Sequence, residues 1–183
     1  MFIDGGRMRS QIIILLLLII IPAFAHGQKA PATNAGAQFI NYKYKGVTPP
    51  KQLPNGVKHL GGGLIGDINA DPVYGIAQTE KGALRMFWLE VSTGQDATGV
   101  TGWQVLDVLP FSGVQKSEYL FFAGDPSINC SKNSGEIANL VGRGRIVRTR
   151  GSFIPSKLWV ADIAKRKFVP FAVTSVKCEY SEP

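Results

Sequence analysis

Few side chains in this sequence could do acid–base, nucleophilic or metal chemistry. It has two histidines and two cysteines. His26 sits in a run of small polar residues, and His59 precedes Leu60 and a glycine run. Zinc needs three or four converging N, S or O ligands. One histidine and two distant cysteines do not supply them, so no metal is expected. A Ser-His-Asp triad would have to recruit His59, and no Gly-x-Ser-x-Gly segment presents a serine. His59 therefore reads as a surface or capping residue. The segment Gly61-Gly62-Gly63-Leu64-Ile65-Gly66-Asp67 has the glycines of a phosphate cradle. It lacks both the Lys-Ser/Thr ending of a P-loop and the Gly-x-Gly-x-x-Gly spacing. It reads as loop, and no cofactor is expected.

Glu90 and Asp107 interrupt apolar stretches. Paired carboxyls cleave glycosidic bonds, one as acid and the other as base or nucleophile, so this pair supports a secreted hydrolase as one reading. The spacing does not fix the two on one face. A carboxylate within an apolar pattern normally has an internal partner, and Arg85 is a neighbour. The non-catalytic reading is preferred.

Charge is distributed unevenly. From Val141 onward lie Arg143, Arg145, Arg148, Arg150, Lys157, Lys165, Arg166, Lys167 and Lys177, opposed by Asp162, Glu179 and Glu182. Residues 26–140 carry equal numbers of acidic and basic side chains. Arginine forks onto phosphate and carboxylate, so an anion-binding surface is expected from Arg143, Arg145, Arg148 and Arg150, with Lys165, Arg166 and Lys167 in an exposed turn at its rim. Strand parity puts Arg143 and Arg145 on one face; a bulge at Ile146–Val147 would bring Arg148 and Arg150 to join them. The competing reading is solvated charge that aids solubility.

The compartment follows from the N-terminus. Arg7 and Arg9 precede the apolar run Ile12–Ile21, and Ala23-Phe24-Ala25 follows it. This is the order of a secretory signal peptide over residues 1–25. The run is shorter than the roughly 20 residues that span a bilayer. Met8 is an alternative start. No later segment is long and apolar enough to cross a membrane as a helix. An exported chain meets oxidising conditions, so Cys130 and Cys178 are expected to form a structural disulfide. Asn129-Cys130-Ser131 matches a glycosylation sequon, but with the bridged cysteine at its centre.

The elements that must position these residues read as strands. Residues 26–37 are expected to be a flexible tail and 38–183 a single domain. Gln38–Lys45 alternates Ile40, Tyr42 and Tyr44 with polar residues, a half-buried strand. Residues 46–71 read as loop with one short strand at most. Residues 72–78 and 83–92 read as a hairpin around Gly82. Its second arm is apolar on both parities, the mark of a strand covered on both faces. Further strands are expected over 103–111, 118–123, 139–150, 157–164 and 168–178, with 134–140 and 155–164 as helical alternatives. The fold class is mainly β: a single antiparallel β-sandwich or small barrel of about 7–8 strands, with at most one or two short helices.

At 45% hydrophobic content and a net charge of +7 over 183 residues, the bulk of the chain is not disordered. The expected function is that of an exported, periplasmic or secreted, small non-catalytic binding protein. Its basic C-terminal surface would engage an anionic polysaccharide, lipid headgroup or acidic protein. Nucleic acid is not expected, because the chain is exported. The alternatives are the Glu90–Asp107 hydrolase and an envelope-associated structural subunit.

Overall fold

The structure is a computed structural model and describes residues 35–46, 50, 52–122, 124–133, 135–174 and 176–182. The expected signal peptide and most of the expected tail, up to residue 34, lie outside the described residues. Two antiparallel sheets form a β-sandwich. The first contains β1 (Lys43–Gly46), β2 (Val57–Ile65), β3 (Tyr74–Lys81), β4 (Leu84–Gln95) and β5 (Thr101–Phe111), in the order β1-β5-β4-β3-β2. The second contains β6 (Tyr119–Phe122), β7 (Ile128–Lys132), β8 (Gly135–Glu136), β9 (Leu140–Val147), β10 (Ser152–Asp162), β11 (Lys167–Phe171) and β12 (Lys177–Tyr180). Its order is β6-β9-β10-β12-β7-β8, with β11 pairing the distal part of β10.

β4 shows how the pattern builds the layers. Phe87 and Leu89 point between the sheets, where they meet Leu109 and Phe111 of β5 and Leu120, Val141 and Trp159 of the second sheet. Met86 and Trp88, of opposite parity, pack on the outer face with Phe39, Tyr44 and Val105. All four β4 side chains are fully buried, as their two-sided apolar pattern implies. Each contributes about 1.5–3 kcal/mol of burial. The second sheet has its own outer cluster, built on Phe121, Leu140, Phe153, Leu158 and the two cysteines.

Cys130 and Cys178 face each other in register across β7 and β12 and form the expected disulfide. It closes a separation of 48 residues, a loop whose closure entropy corresponds to about 4 kcal/mol in the chain-entropy account.

Several local expectations change. Residues 38–45 are not one strand: a 3-10 turn spans Ala37–Phe39, Asn41 takes a positive φ of 68°, and only Lys43–Gly46 is extended. Phe39 is therefore the buried anchor, and Ile40 faces solvent. Residues 57–65 form a full strand rather than loop, pairing β3 along their length despite their glycines. Neither helical alternative is helical among the described residues: residues 135–140 are β8, a turn with Asn139 at a φ of 58°, and the start of β9, and residues 155–162 belong to β10. Residues 168–178 hold two strands, not one.

Candidate functional site

The arginines are the first sequence candidates, and the structure separates them. β9 ends at Val147, and Arg148–Arg150 form a 3-10 turn. The bulge at Ile146–Val147 that would have brought all four arginines to one face is absent: pairing with β10 runs unbroken from Val147 to Gly144, and the register shift lies between Pro155 and Lys157. Arg148 and Arg150 thus sit at one end of β10. Lys165 and Arg166 turn between β10 and β11 at the other end, with Lys167 opening β11. The eleven residues of β10 place the two groups roughly 30 Å apart. This is several screening lengths at physiological salt.

Arg143 is also committed. Its Nε and Nη2 donate to Glu118 at 2.7–3.1 Å. The Gln115 backbone N–H donates to the same carboxylate at 3.0 Å. Arg143 therefore clamps the β5–β6 connection to β9. The Gln115 N–H is the first cause, and the Arg143 guanidinium a further one, of a Glu118 pKa below the ordinary carboxylate range. Arg148 pairs with Glu182 at 3.0 Å and Lys165 with Asp162 at 2.9 Å, both on the surface. Arg145, Arg150, Arg166 and Lys167 are exposed and have no acidic partner among the described residues.

The two carboxylates do not converge either. Asp107 is paired with Leu89, which points between the sheets. Its Oδ2 accepts the backbone N–H of Phe168 at 2.7 Å and its Oδ1 that of Val108 at 2.9 Å. Asp107 thus ties β11 of one sheet to β5 of the other. Glu90 follows Leu89 across a register shift and faces outward with Trp88 and Tyr44. The pair lies on opposite faces of one sheet and cannot flank a single bond.

On its own face Glu90 has an unusual setting. It is only 7% exposed. The Tyr44 hydroxyl donates to Oε2. Oε1 lies over Gly75, where a Cβ would come within 3.1 Å of it. Gly75 is paired with Glu90 across β3 and β4, so the missing side chain is what leaves room for the carboxyl. No basic side chain pairs with Glu90 among the described residues. Burial, the dominant cause, raises its pKa to about 7 against the lowering effect of the Tyr44 bond. Burial first, and the carboxyl second, push the Tyr44 hydroxyl well up.

Glu90 lines a cleft of about 620 Å³, with Tyr44, Pro50, His59, Leu64 and Trp103 around it. This is within the range of small-molecule sites. Gly61, Gly62 and Gly63 of β2 line the cleft without side chains. Trp103 is paired with Tyr44 across β5 and β1. Its indole leans over Gly46, whose Cβ would meet the ring at 2.6 Å. His59 is half-buried on β2, and burial lowers its pKa, which favours neutral imidazole. A second hollow of about 410 Å³ adjoins the first, shares Leu64, Thr101 and Trp103 with it, and extends to Asp71, Ser92 and Gln95. No lysine or arginine lines either hollow among the described residues.

Sequence reasoning named Glu90 but gave it the wrong partner, and it missed Tyr44, Trp103 and Leu64 as a site. Leu64, Gly75 and Glu90 come together only through the β2-β3-β4 register. Among the described residues no group of three or more His, Cys, Asp or Glu could hold a metal, and no helix is long and apolar enough to cross a membrane.

No family model, curated protein or solved structure matches the chain. The fold and site define a disulfide-bridged β-sandwich with a ligand-sized cleft on one outer face.

Proposed function

We propose that this is an exported, periplasmic or secreted, small binding protein whose ligand occupies the cleft over the first sheet. Export rests on the order of residues 7–25, and the Cys130–Cys178 bridge is compatible with it. The observation that carries the binding reading is Glu90: a carboxyl more than nine-tenths buried, with no hydrogen bond to one of its oxygens among the described residues, in a hollow lined also by apolar and aromatic side chains, His59, Thr101 and glycine backbone. That oxygen is not sealed in the core, where the unpartnered side-chain atoms among the described residues are Thr79 Oγ1 and Trp88 Nε1, and so stays open to a ligand in the cleft. Dispersal of the basic residues makes the cleft the better site than a single anion-binding face. The opposed orientations of Glu90 and Asp107 count against the hydrolase.

The three tryptophans provide the test. Trp88 and Trp159 are buried, and Trp103 is the accessible one. Acrylamide quenching of the native protein should therefore report Trp103. Against a panel of linear amines, amino acids, neutral sugars and dicarboxylates at millimolar concentration, at least one compound should shield it. Unchanged quenching with every member would overturn the reading.

A further inference from the structure

The cleft's chemistry narrows the ligand, given that the cleft is a binding site. Its charge is one-sided. In a chain with 20 basic residues, the described residues around both hollows include Glu90 and Asp71 but neither lysine nor arginine. An anionic ligand would meet a carboxyl and, among the described residues, no counter-charge. A neutral hydroxylic ligand could bond to Glu90 Oε1, but above about pH 7 it would leave an ionised carboxylate uncompensated in a desolvated place, which is costly. A cation supplies what the site lacks.

The shape is also directional. Glu90 lies in the larger hollow and Asp71 in the adjoining one, and Leu64 and Trp103 lie where the two meet. Gly75 neighbours Glu90, and the four chain steps from Asp71 to Gly75 span at most about 14 Å. Leu64 is 49% exposed, a large apolar side chain in solvent beside a half-buried indole. Such surfaces suit methylene groups, and an indole also attracts an ammonium near its face.

We propose that the cleft binds a linear aliphatic polyamine, with one ammonium on the free oxygen of Glu90, the methylene stem across Trp103 and Leu64, and a second ammonium at Asp71. Binding is then linked to pH. The titratable groups lining the two hollows are Tyr44 from β1, His59 from β2, Glu90 from β4 and Asp71 from the β2–β3 connection. Affinity should rise from pH 5 to pH 8 as Glu90 loses its proton. His59 loses its charge in the same direction, and Glu90→Gln separates the two contributions.

The experiment is calorimetric titration with spermidine at pH 8 and low salt, paired with acrylamide quenching, and with maltose as the neutral control. Spermidine should bind and shield Trp103, and maltose should not. Leu64→Lys, a change at an exposed side chain that leaves the core untouched, should weaken spermidine at least tenfold. Glu90→Gln should weaken it about tenfold and flatten the pH dependence, and Asp71→Asn about threefold. Maltose binding as tightly as spermidine, or Leu64→Lys leaving spermidine affinity unchanged, would overturn the polyamine assignment. If another panel compound shields Trp103 and spermidine does not, the polyamine inference falls while the binding reading stands. If nothing shields Trp103, both fall.

Discussion

The outer face of the first sheet and the basic hairpin of the second handle charge in opposite ways. The first sheet buries one carboxyl, Glu90, beside Tyr44 and over a glycine, away from any described cation. The second sheet carries many cations on β9, the turn after it and the β10–β11 turn, mostly in solvent. Water screens the exposed set, so each member contributes little alone. The buried group is not screened, and its protonation state is coupled to folding. The contrast shows that abundance of charge is a poor guide to where chemistry is concentrated: one desolvated carboxyl outweighs several solvated arginines.

The largest test of this contrast is the stability of Glu90→Gln against pH. A buried carboxyl with its pKa raised to about 7 from 4.5 holds its proton in the folded state after the unfolded chain has released it. Wild-type stability from this group is complete below about pH 4.5, declines as pH rises to about 7, and is level above that. Glutamine is neutral throughout. Glu90→Gln should therefore be more stable than wild type at pH 8 by on the order of 2–3 kcal/mol and close to it at pH 4. Chemical denaturation at both pH values checks this; a difference independent of pH would show that Glu90 is not desolvated.

A smaller effect is expected at the one arginine that is tied down. Arg143→Ala removes both side-chain donors from the half-buried Glu118 and should cost about 1–2 kcal/mol at pH 7. Glu118 has a lowered pKa, so its contribution is present above the ordinary carboxylate range and is lost as pH falls through the lowered value. The deficit of Arg143→Ala should shrink in acid. A variant as stable as wild type at pH 7 would place Arg143 with the solvated set.

The smallest effects belong to the exposed residues. Replacing Arg145 and Arg150 with alanine, or Arg166 and Lys167, should change stability by less than about 0.5 kcal/mol. On heparin at about 0.15 M ionic strength each pair should reduce retention modestly. The fourfold variant should show the sum of the two shifts, because the groups lie several screening lengths apart. A fourfold variant that loses far more than the sum would reveal a single cooperative surface and reverse the contrast.

The sequence carried the architecture further than the site. Two-sided apolar runs such as Met86–Leu89 and strands over 139–147 and 157–162 built on β-branched, leucine and tryptophan residues specify buried strands directly, and an even pair of cysteines, in a chain expected to be exported, points to a bridge. β2 was hidden because Gly61–Gly63 have no strand preference; pairing with β3 imposes the conformation. Arg148–Arg150 look like a strand continuing from β9 by local composition, yet the chain turns there to reach β10. The cleft was least legible. Its parts come from five strands, and its side chains are placed by glycines that matter only for the neighbour they stand opposite: Gly75 for Glu90 and Gly46 for Trp103.

The strand order of the second sheet has a consequence for how the molecule is made. β7 and β8 precede β9 and β10 in the chain, yet they join the sheet only through β12. As the chain emerges from N- to C-terminus, β6, β9, β10 and β11 can assemble while β7 and β8 wait without a partner in the sheet. Their docking, and the pairing of Cys130 with Cys178, cannot occur until residues 177–180 arrive. Completion of this sheet is therefore a late event set by the progress of the chain, and until then the thiol of Cys130 remains open to any oxidant or foreign cysteine it meets.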